Sequence, residues 1–421
     1  YVTNKLYKKQ SSEKTSESKV LNEIELPLMM VLKKIEVKGV KISRDKLKEI
    51  GIILENEIKR LEKVIYSLAE TEFNINSPKQ VGEVLFEKLA LPKGKKTKTG
   101  YSVSAEVLSE LAHEFEIAQL IVDYRHYSKL LSTYIEGLSD LLDENDFLHT
   151  NYNQTIASTG RLSSTNPNLQ NIPSSNGIAG TIREAFISRF ENGKILAIDY
   201  SQVEVRILAI LSGDENLLNA FKNNIDIHHK TAEFLFPNKT ITSSERKIAK
   251  AVNFGVIYGI SSFGLSKMIG ISMGDAKTYI NKFFESYPKV RLFLDETIKF
   301  CEENNYVETI FGRKRYINGI NDLNKIVKQA SEREATNMPI QGTSADIIKI
   351  AMIRIEDFIE KNNLKSLMIM QVHDELVFDI YPGEEQIIQD EVCNIMENVL
   401  ENKPIKLKTD AKIGTNWREA K

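Results

Sequence analysis

From Ile24 onward the apolar positions recur at helical spacing. Leu28, Val31, Leu32 and Ile35 share one face, Gly39 interrupts the pattern, and Leu47, Ile50, Leu54, Ile58, Leu61, Ile65 and Leu68 extend it through a second helix from about Ser43 to Phe73. Two long helices packed together predict an arm. Before them, Tyr1 to Val20 is polar and aperiodic, as expected of a linker remnant. Helical spacing resumes from about Ser104 to Leu142, and from His149 to Pro173 it gives way to turn-forming, amide-rich sequence. A short apolar run, Lys194 to Ile198, then precedes Val203, Ile207 and Ile210 at helical spacing, which predicts a strand, a tight exit and a helix, with Asp199 at the strand's end.

Beyond Gly213 the pattern is helical to about Tyr306, and Thr309 to Ile317 reads as strand, basic turn, strand. A helix from about Asp322 to Asn337 is expected to end near Pro339, with a further helix opening at Gln341 and running to about Lys361. Leu367 to Ile380 places two apolar strands around a polar tip, a hairpin expected to present His373, Asp374 and Glu375.

A chain of 421 residues, 42% of them hydrophobic, can bury more than one core and divides into two or three domains. Its net charge of −2 lacks the basic signature of a nucleic-acid binder, so any basic surface must be local. Two cysteines without disulfide spacing, Cys301 and Cys393, point to a reducing compartment and to thiols without chemistry. No stretch approaches the roughly 20 apolar residues of a membrane span, and nothing resembles a signal peptide, which suits a cytosolic protein. A start at Tyr1 suits a fragment of a longer chain. There is no internal repeat, phosphate-cradling Gly-rich loop, Cys/His metal cluster or nucleophile elbow.

What remains is carboxylates on strand ends, cations on a helix and amide-rich loops. An Asp closing a strand is either a turn or cap residue or a rigidly held metal ligand. Asp199 and Asp374, far apart in the chain, meet only if neighbouring strands of one sheet carry them, and there they would suit hard, oxygen-seeking cations such as Mg²⁺. Two such ions can stabilise the attacking and leaving oxygens of a phosphoryl displacement. Arg246, Lys250, Phe254 and Tyr258 recur every four residues along one helical face, read either as an amphipathic surface or as a bed for a nucleoside triphosphate. The helix start Ser77-Pro78-Lys79-Gln80, the lysine-rich loop from Lys93 to Gly100 and the Arg125/Lys129 pair are either solvated surface or phosphate contacts.

The motifs DYSQVEVR (from Asp199), RKIAKAVNFGVIYG (from Arg246) and VHDE (from Val372) resemble the three polymerase motifs of the family A DNA polymerases. SPKQ, TGRLSS, NPNLQNIP and QGTSAD match as well, in the family's order, and the similarity runs from about Ile24 to the C-terminus. It implies a multidomain α+β right hand with helical thumb and fingers and an antiparallel-sheet palm. The expected divisions are a linker remnant (1–20), thumb (21–149), palm (150–206 and 319–421) and fingers (207–318).

Carried over by position, the resemblance makes Asp199, Asp374 and the Tyr200 carbonyl ligands of two Mg²⁺ ions, which Mn²⁺ can replace, with Glu375 a supporting acid. Arg246, Lys250 and His228 would hold the incoming triphosphate, Lys250 also protonating the leaving pyrophosphate. Gln202, Glu204, Phe254 and Tyr258 complete the deoxynucleotide site, with Glu204 as the gate against a 2′-OH. Arg161, Asn171, Arg333, Asn337, Gln341 and His373, with Arg125, Lys129, Ser77 and Lys79, would contact the primer–template duplex.

The function implied is DNA-templated DNA synthesis in replication and repair, by a monomer without proofreading or membrane attachment. The expected compartment is the cytoplasm, at the bacterial nucleoid, with an organelle as the alternative. The rival readings are a single-subunit RNA polymerase, disfavoured by the bulky Glu204, and an inert primer–template clamp, disfavoured by the intact carboxylates and cations.

Overall fold

The computed structural model describes residues 19–92, 96–97, 100–174, 177–237 and 239–421. The expected linker lies outside the described residues up to position 18, as do positions 93–95 and 98–99 of the lysine loop. Lys19 and Val20 are already helical, so the first helix starts earlier than the apolar pattern shows. It passes through a π-helical turn, Leu21–Glu25, into Leu26–Lys38. Gly39 follows at φ +60, where a Cβ would lie 2.7 Å from the His149 ring. The next helix, Arg44–Ala69, is opened by Ser43, whose side chain accepts the Lys46 N–H, and closed by left-handed Glu70. Leu68, expected on the buried face, is 39% exposed, and Ala69 takes the inward position, because a 3.6-residue period drifts against the sequence spacing over seven turns.

Contacts group the chain into two compact units. One comprises residues up to 38, 151–165 and 196–412, and the other 39–150, 166–195 and 413–421. The helix Leu26–Lys38 therefore falls outside the unit that holds most of the expected thumb. Its Lys34 pairs with Glu356 at 3.2 Å and also with Glu360, and these charges tie it to the first unit.

The second unit is built on Arg44–Ala69 and Ala105–Ala112, each packed against Glu116–Leu130, with the short helix Pro78–Glu83 contributing to the same core. Its core holds Leu61, Ile65, Ile75, Val81, Leu85, Phe86, Leu108 and Ile121.

A four-stranded sheet runs in the order Leu367–Val372, Glu375–Ile380, Lys194–Tyr200, Thr409–Gly414, and all of it but residues 194–195 and 413–414 belongs to the first unit. The first two strands form the expected antiparallel hairpin, with Val372 opposite Glu375 and His373 at φ +55 in the turn. All six residues of Glu375–Ile380 are buried, so both faces of the strand are covered and its apolar residues run without alternation.

Two helices were expected on either side of Pro339. One continuous helix, Lys325–Lys361, runs through it instead. Met338, Pro339 and Ile340 are all buried, and their packing offsets the single backbone hydrogen bond that proline cannot make. At Gly342 a Cβ would come within 2.7 Å of both Met338 Sδ and Thr309 Cγ2, so the helix can lie against the 309 turn only with glycine there. Six helices between Glu215 and Asn304 fill the stretch read as helical from the sequence. Among the described residues no helix is long and apolar enough to cross a membrane.

Candidate active site

The strand Lys194–Tyr200 holds Ile195 to Ile198 in the core and leaves Asp199 exposed beside buried Tyr200. The Tyr200 N–H donates to the Asp374 carbonyl at 3.1 Å, so the two aspartates anticipated from the sequence are carried by adjacent strands of one sheet. Behind Asp199, Gln202 takes a left-handed φ of +53 and turns the chain into the helix Val203–Ser212. Arg206 pins that turn, donating to the Ser201 and Lys406 carbonyls, each at 3.1 Å.

Asp374 is half-buried and accepts a hydrogen bond from Ser344 Oγ at 3.3 Å, while His373 beside it is exposed. Glu375 departs from expectation. It is 2% exposed rather than presented at the tip, because the two-residue turn makes it the first rung of the returning strand. Among the described residues no three His, Cys, Asp or Glu converge on a metal site. Asp199 and Asp374 supply hard oxygen donors, and together with the Tyr200 carbonyl they fit Mg²⁺, which keeps much of its coordination shell for water and substrate oxygens.

The helix Ser243–Ile257 opens with a capping box of Thr242 and Glu245 and carries Arg246, Lys250 and Phe254, with Tyr258 as its C-cap. A cavity of about 850 Å³ borders it, lined by Lys247, Lys250, Phe254, Tyr258, Met268 and Arg333. Lys250 Nζ sits 6.0 Å from the Phe254 ring centre. Arg246 donates to Asp226 Oδ2 at 2.6 Å, and Asp226 also caps its own helix through the His228 and His229 N–H groups. Burial opposes the Asp226 charge, yet the Arg246 and backbone hydrogen bonds prevail and lower its pKa.

His228, expected on the triphosphate, is only 3% exposed, and its Nδ1 is 2.8 Å from Asn253 Nδ2. Burial pushes the imidazole down to about 4, with further depression from Arg246 and Lys250 against the opposing pull of Asp226. It is therefore a neutral packing group beside the helix rather than an exposed cation.

Glu204 joins the pieces. It is 4% exposed, its Oε1 accepts from Arg161 at 2.7 Å and its Oε2 from the Tyr258 hydroxyl at 2.7 Å. Burial raises its pKa, against the hydrogen bond from Tyr258 and the charge of Arg161. Arg333, Asn337 and Gln341 follow at four-residue intervals along Lys325–Lys361. Arg333 is exposed, and Asn337 is half-buried with no partner for Oδ1.

A strand-end pair of aspartates, a cationic helix and a buried glutamate between them is the arrangement the three sequence motifs imply. Residues 44–419 match the family model described as DNA polymerase family A. The chain belongs to that family. It is 48% identical over 402 residues to DNA polymerase I of Caldicellulosiruptor bescii, covering 94% of this chain and 47% of the relative. It is 43% identical over 415 residues to DNA polymerase I of Bacillus subtilis, covering 98% and 47%. The chain thus spans about half the length of these curated relatives. Its fold is similar, at a TM-score of 0.89 and 36% identity, to the POL domain of Pol1 from M. smegmatis in complex with DNA primer-template and dNTP, over 95% of this chain and 71% of that one.

The remaining residues anticipated for a family A polymerase lie in the second unit. Ser77 caps the helix Pro78–Glu83, Lys79 is exposed near Glu83 at 3.8 Å, and Lys129 is exposed. Asn171 has an exposed side chain, and its carbonyl accepts from Tyr134 Oη at 2.7 Å. Arg125 does not share the free surface expected for it with Lys129. It is partly buried and donates to the Ile75 and Val103 carbonyls at 3.2 and 3.0 Å, holding two loops together. Asp226, Asn253 and Ser344 were not singled out from sequence. Asp226 lies two residues before His228 and Ser344 lies within QGTSAD, but nothing local to either marks its partner.

Proposed function

We propose that this chain is a DNA-templated DNA polymerase, extending a primer 3′-OH with deoxynucleotides and releasing pyrophosphate. The observation that carries this reading is the adjacency of Asp199 and Asp374, bridged through the Tyr200 N–H, in the same unit as a cavity edged by Lys250 and Phe254. Mg²⁺ held by Asp199, Asp374 and the Tyr200 carbonyl would supply charge stabilisation for the oxygens exchanged at phosphorus.

The chain's own side chains supply the rest. Arg246 and Lys250 lie one helical turn apart and neutralise the triphosphate, and Lys250 protonates the leaving pyrophosphate. Phe254 faces the sugar and Tyr258 the templating position. Glu204, clamped from both sides, fills the space a 2′-OH would need. Arg333, Asn337, Gln341 and His373 read the minor-groove edge, whose acceptors are nearly the same for every base pair, and so they test pair shape without preferring a sequence. Ser77, Lys79, Lys129 and Asn171 contact the DNA backbone. The protein acts as a monomer on primer–template in the bacterial cytoplasm, in replication and repair.

The test is extension of a labelled primer with Mg²⁺ and deoxynucleotides, beside Asp199→Ala and beside ribonucleotides. Extension by the parent and none by the variant supports the reading. Duplex binding without extension would replace it with an inert clamp, and preferential use of ribonucleotides with an RNA polymerase.

A further inference from the structure

Four charged groups are gathered in the first unit, none of them among the residues anticipated for the reaction. Arg313 donates to Asp346 Oδ1 at 2.7 Å and to Glu25, Lys349 donates to Glu25 at 2.6 Å, and Thr309 Oγ1 donates to Asp346 Oδ2 at 2.7 Å. The Asp346 and Lys349 side chains are fully buried, and those of Arg313 and Glu25 are 15% and 16% exposed. Two acids balance two bases, so the cluster has no spare charge for a ligand. Burying four ions is costly compared with an apolar core of the same volume, and the planar fork of arginine is what such a site can supply and hydrocarbon cannot.

That fork lies against Gly160. A Cβ on Gly160 would be 2.8 Å from both Arg313 Cδ and Nε and 3.2 Å from Cζ. Gly160 is at φ +79, and its N–H closes a turn onto the Ala157 carbonyl at 2.9 Å. The next residue is Arg161, the one that holds Glu204 Oε1.

From this continuous path we infer that Arg313 is a positioning residue for sugar selection. Clamped by Asp346 and Glu25, it forms the floor on which the Gly160 turn rests, and the turn sets where Arg161 meets Glu204. Arg313 acts through Arg161 rather than on the nucleotide itself. The inference rests on the polymerase reading and adds to it a determinant that works through the Gly160 turn.

The experiment compares kcat/KM for a deoxynucleotide against the matching ribonucleotide in the parent, Arg313→Lys, Arg161→Ala and the double variant. Lysine keeps the charge that Asp346 and Glu25 need but not the plane beneath Gly160. Arg313→Lys and Arg161→Ala should each lower discrimination by about 3- to 10-fold, the size of a lost positioning contact, and the double variant should fall no further than Arg161→Ala alone. Gly160→Ala, which drives a methyl into the guanidinium, should reproduce the loss and guards against a folding defect special to position 313. Multiplying effects in the double variant would overturn the inference, as would unchanged discrimination in Arg313→Lys when Arg161→Ala alters it. Failure of the polymerase reading itself would show separately, as no templated extension by the parent.

Discussion

The Tyr200 amide and the Asp374 carbonyl are joined at 3.1 Å, and this one backbone hydrogen bond sets the spacing of Asp374 and Asp199, the residue before Tyr200, which are far apart in sequence. Ser344 Oγ orients the second carboxylate from the buried helix behind it. Ser344→Ala should therefore preserve the fold and raise the Mg²⁺ concentration for half-maximal extension by about tenfold, at the low end of what an outer-shell partner contributes. An Mg²⁺ titration of primer extension measures it, and a curve superimposed on the parent's would remove Ser344 from the site.

Glu204→Ala releases both Arg161 and Tyr258 and, on the proposed reading, empties the space beside the sugar. Ribonucleotide incorporation should rise by about 100-fold or more relative to deoxynucleotide, because the discrimination is steric rather than a small difference in binding. Single-nucleotide insertion kinetics give the ratio. Unchanged sugar selectivity would show that Glu204 is not the gate.

Phe254 lies on the cavity wall between Lys250 and Tyr258 and, on the proposed reading, offers no hydroxyl where a chain terminator lacks its 3′-OH. Phe254→Tyr should improve dideoxynucleotide use by about tenfold or more, the worth of one well-placed hydrogen bond. Competition between terminators and normal nucleotides reads this directly, and equal termination before and after the change would contradict the assignment of this helix face.

Asp226 accepts a hydrogen bond from Arg246 and caps its own helix, so on the proposed reading it competes with the triphosphate for Arg246. Asp226→Asn keeps the cap and removes the charge, and the lost competition, about 0.2 to 1 kcal/mol for an exposed pair, should tighten nucleotide binding by up to about fivefold. Asp226→Ala should add a stability loss of about 1 kcal/mol from the lost cap. Weaker nucleotide binding in Asp226→Asn would mean that the pair pre-positions Arg246 instead.

His228 titrates near 4 in the fold against an unfolded value of about 6.5. Its depressed pKa means that the unfolded chain takes up the proton first, so stability present above about pH 6.5 is lost as the pH falls toward 4. The full swing is about 3 kcal/mol. Between pH 7 and 4.5 the parent should lose about 2 kcal/mol more than His228→Gln, whose amide oxygen still accepts from Asn253. Denaturant titrations at the two pH values measure this, and parallel losses would place the imidazole in solvent.

The elements were legible wherever local physics decides them. Ser43 and Ser77 announce helix starts, and the apolar run before Asp199 announces a strand. Pro339 misled, because a proline's local cost was outweighed by packing that only the folded helix reveals. Leu68 and Glu375 misled for a related reason, since spacing gives a face or a turn and not what covers it. Arg125 and His228 were assigned to ligands by type and position, whereas burial and the carbonyl and amide partners of distant segments claim both.

By itself the sequence determined the family, most of the helices and strands, and the residue types at the candidate site, because motif spacing and periodicity are properties of neighbours along the chain. The tertiary structure alone decided which side chains are available. The strand pairing that places Asp199 beside Asp374, the clamp of Arg161 and Tyr258 on Glu204, and the Arg313 cluster beneath Gly160 all join segments that no local pattern relates. Their energies come from desolvation and hydrogen bonding, which exist only once those segments are packed.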